Sequence, residues 1–250
     1  MGVKKLFEHI GIVGRVLIGV GCVLLVPLVV LMVFATSFGG KAAHFEKSFD
    51  VVKDVAKETR PNTVDWAHWK EVNSDVVAWI EIPGTSIDMP VVQASEDNPT
   101  FYLSHDVYRD WNPWGAAYID AGCKDGIDSL NVVIFGHHMA GPDTMFGEIA
   151  DYHDQGYAEE HRLVIIYTPD EVREYMVYAV ETIAGWEKIK QTEFNTMKEY
   201  QIYRDERLEA SDVVLDHLEN KGLVKMLMLV TCSYYFNPGN ERTIAYAFEV

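Results

Sequence analysis

Residues 16–38, VLIGVGCVLLVPLVVLMVFATSF, run for 23 residues without a charged side chain. As a helix rising ~1.5 Å per residue, such a stretch matches a hydrocarbon core about 30 Å thick. A chain that contains it has to satisfy two solvents, lipid for one segment and water for the rest. Lys4, Lys5 and Arg15 precede the stretch against the single anion Glu8, so the positive-inside bias sets the N-terminus in the cytoplasm and everything after about residue 40 outside. The apolar region of a cleaved signal peptide is shorter, ~7–15 residues, and a retained single-pass anchor over residues 1–38 is therefore expected, with the protein at the cell membrane. The opening MGVKKL lacks the Ser or Thr at position 6 that myristoylation requires.

Of the formal net charge of −17, residues 1–38 contribute +2, which leaves −19 on the remainder. A body this acidic repels phosphates, so nucleic acid is excluded as a main partner. The three cysteines, Cys22, Cys123 and Cys232, are an odd number with no CxxC, and no HExxH accompanies them. Neither a fully paired disulfide framework nor a metal site is expected, and each thiol needs its own account.

Residues 39–72 read as helical. Phe45, Phe49, Val52, Val55 and Ala56 recur at three- and four-residue steps until Pro61, and a second short helix is expected over residues 64–72. Trp66 and Trp69 in that second helix have the character of residues that dock on a body. From residue 73 the pattern changes to β-branched and aromatic runs bounded by turn residues: 76–82, 87–92, 131–135, 163–168, 173–184, 225–232 and 242–250. Between the runs 173–184 and 225–232, residues 188–222 read as a helical insertion, with Ser211 as N-cap, Val213, Val214, Leu215 and Leu218 as its apolar side and Gly222 as its stop. Many short strands with few helices predict a mainly β body, closed as a barrel or stacked as a sandwich so that no edge is left open.

Chemistry enters where these runs end. Cys232 closes an apolar run and meets the polar segment SYYFNPGNE. If the runs on either side pair as a hairpin with a nine-residue loop, 233–241, then Cys232 lies opposite Arg242, and cross-strand partners hold their Cβ atoms only ~4.5–5.5 Å apart. A guanidinium beside a thiol favours the thiolate and can also donate to an oxyanion formed at a carbonyl under attack. In NVVIFGHHM a strand ends at Gly136 and delivers His137 and His138, either of which supplies an imidazole for acid–base work. Adjacent residues in extended chain diverge, so at most one of the two faces the thiol. Cys123, in the polar stretch CKDGIDS, is expected to be an exposed and incidental thiol.

The segments NSDVVAWIEIPGTSIDMPVVQ, DNPTFYL, NVVIFGHHM followed by DTMF, and LVTC with Arg242 ten residues after the cysteine together resemble the sortases over residues 70–250. Sortases are membrane-anchored cysteine transpeptidases of Gram-positive bacteria. The helices ahead of the barrel and the long insertion make class B the most similar branch. The resemblance implies a closed sortase-type β-barrel, residues 73–250, behind the N-terminal helices and one transmembrane helix. It implies His137, Cys232 and Arg242 as the catalytic set with His138 as bystander, and Asn98, Leu103 and Thr192 as groove residues. It further implies cleavage of an LPxTG- or NPxTx-like sorting signal through a thioester, an amine of a peptidoglycan precursor or a pilin lysine as acceptor, and no cofactor. Two other classes compete with it. A hydrolytic cysteine peptidase would resolve the thioester with water, and a membrane-tethered binding module would keep the barrel without chemistry. The chain departs from the class B pattern at Val230 and Ser233, where Ser and an acidic residue are usual, and DNPTFYL holds one residue more than the usual spacing.

Overall fold

The computed structural model describes residues 63–139, 145–215, 225–236 and 240–250. The expected membrane span at 16–38 and the amphipathic helix at 41–60 lie outside the described residues. Among the described residues are nine strands, β1 Val76–Glu81, β2 Asp88–Gln93, β3 Ala117–Ile119, β4 Asn131–Phe135, β5 Leu163–Tyr167, β6 Val172–Ala184, β7 Val213–Val214, β8 Met226–Ser233 and β9 Glu241–Glu249. The α-helices there are α1 Trp66–Val72, α2 Gly147–Ala150, α3 Gln155–Glu160 and α4 Met197–Ala210.

The strands form one sheet in the order β5-β1-β2-β3-β4-β8-β9-β6-β7, and an additional β5–β6 pairing closes the first eight into a barrel. Two neighbouring pairs are parallel, β2 with β3 and β4 with β8, and the rest are antiparallel. Of the barrel and the sandwich that the patterned runs left open, the structure is the closed barrel that the resemblance implied. β8 is buried at seven of its eight positions although a lone sheet face would show alternation, because α4 covers the outer face that the barrel interior does not. There the Tyr203 hydroxyl donates to Met228 Sδ at 3.4 Å, Tyr200 and Tyr203 are buried, and Arg207 meets the buried Glu181 at 3.2 Å. Burial raises the Glu181 carboxyl, and its bonds from Tyr246 and Arg207 pull the other way.

Helix α1 begins behind Asp65, whose carboxylate accepts from His68 N–H at 3.0 Å. Trp66 and Trp69 pack against a cluster of Val76, Val92, Ala94, Tyr102, Ala116 and Tyr118, which is the docking expected of them.

The insertion is helical, but over a different stretch from the one expected. Thr196 is the N-cap, accepting from Glu199 N–H at 3.1 Å, and Ser211 ends the helix, with its hydroxyl donating back to Arg207 O at 2.8 Å. A serine hydroxyl, though favoured at a helix start, can also donate back to the i−4 carbonyl at a helix end, so Ser211 alone does not give the direction. The β-branched pair Val213–Val214 then forms β7, in register with Val180 and Ala179, instead of the apolar side of a helix. Leu218 and Gly222 lie outside the described residues. β3 and β7 escaped the sequence reading because three and two residues carry no periodicity.

Candidate active site

The hairpin of β8 and β9 supplies two of the expected residues. Cys232 and Arg242 are register partners, as are Thr231 with Thr243 and Ser233 with Glu241. Because Ser233 and Glu241 still pair, the loop comprises residues 234–240 and is two residues shorter than expected; the register is unchanged. Gly185 N–H donates to Asn240 O across the β6–β9 boundary, so Arg242, two residues on, also directs its main chain toward β6. Cys232 and Arg242 therefore form a non-hydrogen-bonded pair, the kind whose Cα atoms approach to about 4.5 Å and whose side chains lie closest. Their side chains share the face toward α4 with Met228 and Val230. A Cβ on Gly185 would come within 3.3 Å of Arg242 Nη1, so the bare glycine leaves room for the guanidinium, which donates to Glu241 O at 2.9 Å.

Glu241 anchors the loop that follows the thiol. Its buried carboxylate accepts from the Ser233 hydroxyl at 2.6 Å and from the N–H groups of Tyr235 and Phe236 at 3.2 and 3.1 Å. Nothing in the sequence reading pointed to Glu241; a carboxylate beside an apolar strand end was the available signal.

The histidines are delivered by the end of β4. A Cβ on Gly136 would lie 2.4 Å from Phe146 Cγ, and Phe146 is fully buried, so glycine is required for close approach at this point. Phe146 N–H donates to His137 O at 2.9 Å, and the Thr231 hydroxyl donates to Gly136 O at 2.9 Å. The strand bearing the thiol is thus tied directly to the residue ahead of the histidines. His137 Nε2 lies 2.8 Å from Leu103 O; a carbonyl only accepts, so Nε2 carries the proton. His138 Nδ1 lies 2.9 Å from Cys232 O and donates for the same reason. The Tyr234 hydroxyl donates to His138 O at 2.9 Å. Burial and the neighbouring Cys232 raise that hydroxyl's pKa and Arg242 lowers it, which places Tyr234 within electrostatic reach of both.

Cys123 corrects an expectation. It is 1% exposed, its Sγ accepts from Val133 N–H at 3.4 Å and donates to Asn131 O at 3.5 Å, and burial pushes its pKa up to about 11. Its polar sequence neighbours face solvent while the thiol points inward. Cys232, by contrast, is half-buried.

Of the three groove residues, Leu103 joins the site through its carbonyl. Asn98 is exposed at the head of the same segment, where its carbonyl accepts from Phe101 N–H at 3.2 Å. Thr192 does not come to the thiol. It packs on Gly122, where a Cβ would stand 2.6 Å from its Oγ1, and Gln191 O beside it accepts from Asn131 Nδ2 at 2.7 Å. Asn131 starts β4, whereas His137 follows its end.

An eight-stranded barrel with a cysteine and an arginine paired across adjacent strands and a histidine at the end of the neighbouring strand defines a sortase. The sortase domain family matches residues 80–250, and the chain belongs to that family of cysteine transpeptidases. Among its relatives are the sortase B proteins. That of Staphylococcus aureus is 25% identical over 180 residues, 71% of each chain. The solved sortase B of Clostridium perfringens superposes with a TM-score of 0.65 at 28% identity, over 74% of this chain and 98% of that one. A Staphylococcus aureus sortase B–substrate complex superposes at 0.64 and 22% identity, over 86% and 98%, and shows the shared fold.

Proposed function

We propose that this sortase is a membrane-anchored transpeptidase in which Cys232 is the nucleophile, His137 the general acid and base, and Arg242 the oxyanion donor. The observation that carries the assignment is the Cys232–Arg242 pair. It brings a cation beside a half-buried thiol, with His137 on the next strand's end. The sulfur attacks the carbonyl carbon of a threonine in an LPxTG- or NPxTx-like signal, and the tetrahedral oxyanion accepts hydrogen bonds from the guanidinium. Collapse breaks the C–N bond. The Cys232 thiol has given its proton to His137 Nδ1, the nitrogen opposite the Nε2–H that donates to Leu103 O, and the departing amine takes that proton from Nδ1. An acceptor amine then attacks the thioester, gives its proton back to His137 and expels the thiolate. A solved sortase B is complexed with triglycine, which supports an amine acceptor of the cell-wall cross-bridge kind over a pilin lysine.

The anchor belongs to the same reading. Substrate and lipid-linked acceptor confined to one membrane face meet at raised effective concentration, and the 23 uncharged residues behind a basic start supply the tether. The test incubates the full chain with LPxTG and NPxTx peptides, with and without a glycine-based amine. A thioester adduct on Cys232 that the amine resolves to a ligated product supports the reading. No adduct with either peptide overturns it, and turnover that ignores the amine makes the protein a hydrolase. Protease on intact protoplasts should digest the body and spare the N-terminal tail; a protected body overturns the orientation.

A further inference from the structure

β4 and β8 run parallel in register, Asn131 with Met226 through to Phe135 with Val230. The last ladder bond on this boundary is Gly136 N–H to Val230 O, 3.1 Å. Val230 O therefore points toward β4, and so does Cys232 O two residues later, where the next rung of a parallel ladder would be the main-chain N–H of residue 138. β4 has ended by then, since the chain turns away at Gly136 under Phe146. The carbonyl of Cys232 nevertheless has a donor, because the imidazole Nδ1 of His138 stands 2.9 Å from it.

The same boundary is crossed in the opposite direction. Tyr234, two residues past the cysteine, donates its hydroxyl to the main-chain oxygen of His138 at 2.9 Å, and the two rings meet edge to face with centroids 5.0 Å apart. A side chain from each segment thus bonds the other segment's backbone. On its other side, Cys232 belongs to a non-hydrogen-bonded pair with Arg242, so β9 leaves its carbonyl free. The nucleophile thus sits past the end of the β4–β8 ladder, while on its other flank the β8–β9 ladder continues through Ser233 and Glu241.

We propose that His138 is a positioning residue that extends the β4–β8 ladder by one rung with its side chain, and that Tyr234 locks it, so that the two together hold Cys232 against Arg242 and His137. The proposal rests on the assignment of Cys232 as nucleophile. His138 touches no reacting atom in this scheme. Its contribution is the placement of the strand end that carries the sulfur.

The test uses the full chain with the substitutions His138→Ala, His138→Asn, Tyr234→Phe and the double variant His138→Ala with Tyr234→Phe. Asparagine places an amide N–H near the position of Nδ1. Single-turnover acylation by the sorting peptide should fall about tenfold in His138→Ala, less than the ~10² that a 1 Å misplacement of reacting groups costs, with KM for the peptide unchanged. His138→Asn should recover to within about threefold of wild type. Tyr234→Phe should fall between the two, and the double variant should be no slower than His138→Ala, since both break one unit. Amide hydrogen exchange needs no peptide. In His138→Ala it should speed up over residues 231–236 and stay unchanged over 226–229, with a melting shift of no more than about 4 °C, the size expected of one hydrogen bond in a domain of this length. Wild-type acylation in His138→Ala, an asparagine variant as slow as alanine, additive losses in the double variant, or unchanged exchange at 231–236 would each overturn the proposal. An active Cys232→Ala control would instead overturn the nucleophile assignment.

Discussion

The two ends of β4 each hold a thiol, and they treat it in opposite ways. At the start, around Asn131, Cys123 is enclosed between the turn after β3 and the strand itself, with Val133 N–H on its sulfur. The cation nearby, Lys190, is bound to Asp120 at 2.6 Å. At the other end Cys232 is half-buried, faces Arg242 across a non-hydrogen-bonded pair and has the His138 imidazole on its carbonyl. Cys123 lies in a polar stretch and Cys232 where an apolar run meets one, so composition alone would leave both open to solvent. Burial beside a cation already neutralised disfavours the thiolate at Cys123, whereas Cys232 stays open to solvent beside a guanidinium.

The sharpest way to break this contrast is to remove each thiol. Cys232→Ala should abolish acylation by the sorting peptide, and Cys123→Ala should leave it within a few fold, read by mass detection of the acyl-enzyme. A dead Cys123 variant beside a live Cys232 variant would reverse the comparison.

Next in size is the acid–base group. His137→Ala should lose between ~10² and 10⁴ in acyl-enzyme formation, the range for general acid work, and so fall well below the His138→Ala variant. Equal losses at the two positions would mean that the loop acts only as a unit. Arg242 comes third. If its planar fork matters as well as its charge, Arg242→Lys should cost ~10² to 10³ in turnover while melting within a few degrees of wild type, because the side chain contributes little to the core. An active lysine variant would reduce Arg242 to a source of local charge.

The catalytic end was the more readable of the two, for a physical reason. A hairpin's register depends on its pattern and not on how far the strands extend into the loop, so the Cys232–Arg242 opposition follows even though Ser233 and Glu241 also pair. Gly136 was readable as a point of close approach, with the partner, Phe146, left unnamed. What sequence did not show were contacts made by side chains to distant backbone: Thr231 to Gly136, His138 to Cys232 and Tyr234 to His138. Such bonds depend on which strands are neighbours, and β4 and β8 are neighbours although about ninety residues separate them. At the start of β4 the exposure expected of Cys123 was misread. Within the insertion the helix was started at Ser211, which in the structure ends it, and the exposure of Cys123 was inferred from neighbours that point the other way.

The smallest effect concerns the sealed thiol alone. Its folded pKa, pushed up to about 11 by burial, exceeds the ordinary value of 9.0 that an unfolded chain would show. The folded state therefore holds the proton more tightly than the unfolded one. The resulting stabilisation is fully present below the unfolded pKa and is lost as pH rises through the folded value, because the unfolded thiol ionises first and draws the equilibrium toward itself. Wild type should consequently lose melting temperature relative to Cys123→Ala between about pH 9 and 11, on top of the decline both share from their other groups. Below pH 8 the difference between the two proteins should be constant and set by the lost packing of the sulfur. Iodoacetamide gives the matching readout on the intact protein: over the same pH range Cys232 should be modified well before Cys123. Parallel melting curves for the two proteins across the alkaline range, or early labelling of Cys123, would show that the start of β4 is not sealed and would remove the contrast between its ends.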